Sequence, residues 1–168
     1  MQFYLTCRQE KWRIVVCACC LVLFSCSRSK FEDSENAIWT EKTSYSPIEL
    51  DVLEMINLER MNEGLQELQI IDEASMQAKL HNEHMILEAK VCHHFFGYRY
   101  KSLAKEAGAL AVSENVAYGY GTAEAVVKAW MKSKAHKKNI LGDHTHSGIS
   151  IEEDRAGKLY FTNIFIRK

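Results

Sequence analysis

Apolar positions recur at helical spacing in several stretches of the chain, and each stretch begins with a residue suited to a helix start. At the first, Ser46 can cap the helix, Pro47 suits the first helical position, and Glu49 completes a capping box. The pattern therefore predicts helices from Pro47 to near Gly64, from Glu73 to Lys90 behind an Asp72 cap, from Tyr98 to Ala107, and onward from a Thr122 cap.

Between and after these helices, the pattern changes to the two-residue alternation of strands. Residues 111–118 alternate in this way, and the β-rich runs at 148–151 and 159–166 predict a hairpin. Residues 136–141 predict a short helical turn. Helices that come first, with strands interleaved and last, predict an α+β domain and not alternating βαβ units.

Length and charge narrow the class of protein. A chain of 168 residues is long enough for one domain with a substantial core. The content of 47% hydrophobic and 26% charged residues is that of a globular protein. A formal net charge of -1 gives no electrostatic footprint for nucleic acid, so we expect no nucleic-acid partner.

The N-terminal region has the features of an export signal. Lys11 and Arg13 precede an apolar run of twelve residues, 14–25. A membrane span needs about 20 residues, so this run fits the apolar region of a signal peptide better. Residues 23–26, Leu-Phe-Ser-Cys, resemble a bacterial lipobox, which implies cleavage before Cys26 and lipid attachment to it.

We therefore expect a signal peptide at 1–25, a lipidated tether at 26–45 and a folded domain at 46–168. This organisation predicts an exported lipoprotein, anchored in a membrane of the bacterial cell envelope. The alternatives are an uncleaved N-terminal anchor or a plain signal peptide.

Cysteine usage leaves the domain without an internal disulfide. Five of the six cysteines lie in the first 26 residues, and Cys92 is the only one beyond them. Cys92 adjoins His93, but neighbouring side chains of an extended segment face opposite sides. A small buried residue is therefore favoured over a thiol–imidazole pair.

Two polar residues stand out in apolar surroundings. Glu114 lies in the strand-like stretch, and His136 opens the segment after the fourth helix. Burying such groups unpaired is costly, so we expect them to face each other or a common ligand. His81 lies on the apolar stripe of the second helix, where a core role is favoured over a ligand role. Ser133 is suited to cap the turn that carries His136.

The order and spacing of several short motifs resemble the bacterial branch of the CAP superfamily (cysteine-rich secretory, antigen and pathogenesis-related proteins). The resemblance covers roughly 47–166 and is carried by Val91-Cys92-His93, Glu114-Asn115-Val116-Ala117, Ala129-Trp130 with Ser133, His136 and Asn139-Ile140-Leu141, Thr145-His146-Ser147-Gly148-Ile149, and Tyr160-Phe161-Thr162-Asn163-Ile164-Phe165.

The resemblance implies a three-layer α-β-α sandwich with a mainly antiparallel sheet and a central cavity. Two histidines and one or two glutamates line that cavity in many members, and in some they hold a divalent metal. By position these are His93, Glu114 and His136, while Ser133 stands where a second glutamate would fall. His81, Ser133 and His146 are possible cavity neighbours.

Two imidazoles and a carboxylate suffice for a Zn²⁺ site with an open position for water. In the alternative without metal, Glu114 accepts hydrogen bonds from the histidines. Our leading hypothesis is a lipid-anchored envelope or extracellular binding module for a lipid, glycan or protein ligand. One alternative is a metal-dependent, peptidase-like envelope hydrolase that uses the same cavity, and another is a structural interaction module.

Overall fold

The structure, a computed structural model, describes residues 44–168. The predicted signal peptide (1–25), the lipidation site Cys26 and nearly all of the tether (26–45) lie outside the described residues. Within 44–168 the helices are α1 Pro47–Asn62, α2 Asp72–Leu87, α3 Phe96–Glu106, α4 Ala123–Lys132 and α5 Lys134–Ile140; the strands are β1 Gln69–Ile70, β2 Ala111–Tyr118, β3 His146–Glu153 and β4 Leu159–Arg167.

Local sequence patterns predicted most of these helices and strands correctly. The backbone nitrogen of Ser46 donates to Glu49 Oε2 at 2.7 Å, as a capping box requires. Thr122 Oγ1 accepts from the backbone nitrogen of Ala125 at 3.2 Å and caps α4. The expectation for α2 was wrong in one detail, because Ile71 is its N-cap and Asp72 lies in its first turn. There the carboxylate still opposes the positive end of the helix dipole.

The sheet has the strand order β1-β3-β4-β2 within the described residues. Strand β4 pairs antiparallel with both β3 and β2, and β1 pairs parallel with β3. The α+β class is confirmed, but the expectation of a mainly antiparallel sheet was wrong, because the sheet is mixed. Strand β1 has two residues and no hairpin joins it to β3, so no local turn signal determined its direction.

Helices contribute side chains to both faces of β4. Phe161 and Phe165 pack in one cluster with residues of α1 and α4, including the fully buried Trp130. Ile164 and Ile166 pack in another cluster with residues of α2 and α3. This division follows from the alternation of side chains along a strand. The three-layer sandwich and its central cavity stay predictions.

A buried arginine fixes the end of α5, the helix that carries His136. Arg60 of α1 donates through Nη1 to the carbonyl oxygens of Ile140 and Gly142, at 2.7 and 2.9 Å. Its Nη2 donates to the carbonyl oxygen of His144 at 3.0 Å. Carbonyls at the end of a helix lack partners within the helix, so these bonds hold α5 in place against α1.

Among residues 44–168, no helix combines the length and the apolar character needed to cross a bilayer.

Close packing of α2 on β3 leads to a stability prediction. A Cβ placed on Gly148 would overlap the backbone of Ala74 and Ser75, whereas one placed on Gly97 in α3 meets nothing within 4 Å. We expect Gly148→Ala to lower the free energy of unfolding by about 1–3 kcal/mol or more, because the helix would have to shift. Gly97→Ala should raise it by about 0.5–1 kcal/mol. Urea titration of both variants tests this, and equal stability of Gly148→Ala and wild type would contradict it.

Candidate functional site

A buried ion pair forms the centre of the candidate site. The guanidinium of Arg99 in α3 forms a bidentate pair with the Glu114 carboxylate of β2. Its Nε donates to Oε2 at 2.7 Å, and its Nη2 donates to Oε1 at 2.8 Å. The two side chains are only 6% and 1% exposed. A bidentate pair of this kind combines charge with fixed geometry.

Arg99 is the residue that sequence reasoning missed. A signal for it exists, because Arg99 lies one turn before the fully buried Leu103 on the same face of α3. An arginine on a buried stripe needs an anionic or carbonyl partner. The sequence shows this need but does not show that Glu114 meets it.

His93 joins the pair from the segment between α2 and α3. Its Nδ1 donates to Glu114 Oε1 at 2.8 Å, while its side chain is 51% exposed. A neutral imidazole that donates from Nδ1 keeps an acceptor lone pair on Nε2. The structure therefore brings together His93 and Glu114, with one imidazole nitrogen left for a ligand.

His81 lies beneath this group and is fully buried. Its Nε2 donates to the carbonyl oxygen of Cys92 at 2.8 Å and lies 3.7 Å from Glu114 Oε1. Burial lowers the pKa of His81 despite the nearby Glu114 charge, so the ring is neutral at pH 7. It is a hydrogen-bonded core histidine that also contacts the site.

Glu114 is held in its ionised form. Burial alone would raise its pKa, but hydrogen bonds from His93 and Arg99, together with the Arg99 charge, hold the pKa below its ordinary value. The carboxylate already accepts from three nitrogen atoms, so little of its hydrogen-bonding capacity remains.

His136 lies near His93 but outside this hydrogen-bonded group. Burial and the proximity of His93 both lower the pKa of His136. The carbonyl oxygen of His136 accepts from Asn115 Nδ2 at 3.2 Å, and Asn139 Nδ2 donates to the carbonyl oxygen of Glu114 at 3.1 Å. These bonds fix α5 against β2. Among the described residues, no hydrogen bond joins the His136 ring to Glu114.

The two remaining cavity candidates, within the described residues, have hydrogen-bond partners other than Glu114. Ser133 Oγ accepts from the backbone nitrogen of His136 at 3.5 Å, which confirms its expected role as the cap of α5. His146 opens β3, and its Nδ1 lies 2.8 Å from Thr145 Oγ1. Neither side chain hydrogen-bonds to Glu114 or His93 in the part of the chain that the structure describes.

A second group of potential ligands includes two other residues of the same segment. Ligand atoms of His84, Cys92 and His94 all lie within 4.8 Å of one another. Within residues 44–168, His93, Glu114 and His136 do not meet this criterion. Cys92 is half-buried, so it is more accessible than the small core residue that the sequence favoured.

The domain is of the α+β class and carries an imidazole that is hydrogen-bonded to a buried glutamate. Comparison with known proteins identifies its family. The model of the family described as "CAP: Cysteine-rich secretory protein family" matches residues 53–165. The chain therefore belongs to the CAP family.

Individual proteins agree with this assignment. The chain is 33% identical over 149 residues to the uncharacterized protein YkwD of Bacillus subtilis, covering 81% of this chain and 53% of that protein. It thus spans about half the length of this relative. Two solved structures share the fold: an outer surface protein of Borrelia burgdorferi (TM-score 0.65, 20% identity, 76% of this chain and 99% of that one) and an extracellular SCP-domain protein of Bacillus anthracis (TM-score 0.63, 21% identity, 76% and 45%).

The buried ion pair gives a sharp stability prediction. We expect Glu114→Gln to lower the free energy of unfolding by about 3–5 kcal/mol, because it leaves the Arg99 charge buried without an anion. The double variant Glu114→Gln/Arg99→Met should lose less than the sum of the two single variants. Denaturant titrations measure all three, with the exposed Glu67→Gln as the matched control. If the losses in unfolding free energy were additive, or if Glu114→Gln were as stable as the wild type, the Arg99–Glu114 pair would not be a coupled buried ion pair.

Proposed function

We propose that this CAP-domain protein is an exported binding module, attached to the bacterial envelope by lipid on Cys26. In this proposal it binds a lipid, glycan or protein ligand in a central cavity around His93, Glu114 and His136. The observation that carries the proposal is the geometry of His93, whose Nδ1 is fixed on a charge-compensated carboxylate while half of its side chain stays exposed. Such a group is oriented for binding before any ligand arrives.

The same proposal places the site between helical layers of an α-β-α sandwich. Support comes from β4, whose two faces pack against different pairs of helices. Support for export comes from the resemblance of residues 23–26 to a lipobox and from the names of two proteins with the same fold, which describe an outer surface protein and an extracellular protein.

The donor set fits a divalent metal in a limited way. The Nε2 atom of His93 and the ring of His136 are imidazole donors, and the lowered pKa of His136 favours its neutral, ligating form. Glu114 would orient His93 and would not itself touch the ion, because Arg99 and His93 already occupy its oxygens. A bound Zn²⁺ would supply a Lewis acid and an attachment point for an anionic group of the ligand.

The ionised, hydrogen-bonded state of Glu114 favours a binding role over the hydrolase alternative. A general base works best with a pKa near the operating pH, but the pKa of Glu114 is lowered and its oxygens are engaged. Its neighbours Arg99 and His93 therefore stabilise a permanent anion and not a proton acceptor. We do not propose hydrolysis for this site.

Lipid attachment is tested on the full chain expressed in a lipoprotein-processing bacterium. We expect labelled palmitate to be incorporated into the wild type and the Cys20→Ser control, and to be lost in Cys26→Ser. We also expect the wild type to fractionate with membranes after high-salt washing. Label that persists in Cys26→Ser would refute the anchor without affecting the domain assignment.

Metal binding at the site is tested by Zn²⁺ calorimetry on the full-length chain in detergent, with its six cysteines replaced by serine. Loss of an outer partner of a ligating imidazole costs about 10–100-fold in affinity, so His93→Gln and His136→Gln should each cost at least that. His146→Gln should bind as the parent does. Equal affinity in all variants would exclude a metal between His93 and His136.

A further inference from the structure

We propose that His84, Cys92 and His94 form a second, separate binding site for Zn²⁺. Their ligand atoms all lie within 4.8 Å of one another. One cysteine thiolate and two imidazoles are a ligand set that zinc accepts, with the fourth position open to water or another donor. This site does not depend on the function proposed for the Glu114 site.

The chain brings the three residues together in a simple way. His84 lies in the last turn of α2, and Cys92 and His94 lie in the segment between α2 and α3. The folded segment places Cys92 and His94 close to His84. His93, between them, bonds instead to Glu114. One segment therefore serves two sites through alternate residues.

Hydrogen bonds fix the backbone of the two neighbouring ligands. The carbonyl oxygen of Cys92 accepts from His81 Nε2 at 2.8 Å, and that of His94 accepts from Arg99 Nη1 at 2.7 Å. Since both donors are buried, the segment is held in place before an ion binds. Fixed ligands lose less entropy on binding, which favours affinity.

An unpartnered nitrogen points independently to a ligand here. The Nε2 atom of His84 is buried and has no hydrogen-bond partner among the described residues. Buried polar atoms without partners are rare in folded proteins and cost free energy. A cation bound at this nitrogen would supply the missing partner.

Phe95 adds a second feature at the same place. Its backbone is left-handed, with φ of 60°, which is unfavourable for a residue with a side chain. This conformation puts its ring against His84, with ring centres 5.2 Å apart, and near His94 at 6.2 Å. The ring restricts the orientation of both imidazoles.

The spacing is compatible with an ion after a small adjustment. Bonds of about 2.0–2.1 Å to nitrogen and 2.3 Å to sulfur in a tetrahedral site place the ligand atoms about 3.3–3.7 Å apart. Atoms now within 4.8 Å would approach by about 1.5 Å at most, through side-chain rotation. His94 is exposed and Cys92 half-buried, so an ion has a path from solvent.

The test uses the full-length chain in detergent with Cys7, Cys17, Cys19, Cys20 and Cys26 replaced by serine, so that Cys92 is the only thiol. Co²⁺ serves as a spectroscopic probe for Zn²⁺. We expect Co²⁺ to produce a thiolate-to-cobalt charge-transfer band, and Zn²⁺ to displace it. Zn²⁺ should also slow alkylation of Cys92 by iodoacetamide, and a chelator should restore the rate.

Variants separate this site from its neighbour. Cys92→Ser should abolish the band, and His84→Asn and His94→Asn should each weaken Co²⁺ binding at least about tenfold. His136→Gln, the matched control, should keep the band and its affinity. His94 is exposed, so His94→Asn is expected to fold normally, and circular dichroism checks this.

Several outcomes would overturn the proposal. These are a folded chain without the band, a band unchanged in His94→Asn, or a band lost in His136→Gln. Binding of Cu⁺ with no binding of Zn²⁺ would also contradict it. Failure of the Glu114 site to bind metal would leave these results unaffected, because His136→Gln separates the two sites.

Discussion

The buried pair between Arg99 and Glu114 is the interaction on which the rest of the site depends. Removing two charges from water is costly, and the cost is offset only when geometry is close and the remaining hydrogen-bonding groups are satisfied. Here the guanidinium meets the carboxylate in two bonds and donates a third bond to the carbonyl oxygen of His94. The pair thereby joins strand β2, helix α3 and the segment before α3. It sets where His93 can lie.

The Arg99–Glu114 pair helps to order one short segment, residues 92–94. His93 binds the carboxylate, while Cys92 and His94 face His84. The neutral His81 supports the segment from below through the Cys92 carbonyl oxygen. Because these bonds fix the backbone of the segment, the side chains of Cys92, His93 and His94 are held in defined positions. Prior order of this kind lowers the entropy cost of binding a ligand.

Membership of the CAP family does not by itself assign an activity, because one fold can carry different sites. The state of the site residues is more informative. A glutamate whose pKa is lowered and whose oxygens are occupied orients an imidazole well and accepts protons poorly. This state of Glu114 is the reason for proposing a binding module and not a hydrolase.

Sequence alone determined what depends on neighbours along the chain. The capping box at Ser46, the cap at Thr122, strand β2 and the α+β class follow from local patterns. The family resemblance singled out His93, Glu114 and His136, of which the first two are hydrogen-bonded to each other. Tertiary structure decided what depends on distant partners. The parallel pairing of β1 and the choice of Arg99 as the partner of Glu114 join residues with no local signal for one another. The reason is physical: a buried charge or an open lone pair requires a partner, but only the folded chain selects which one.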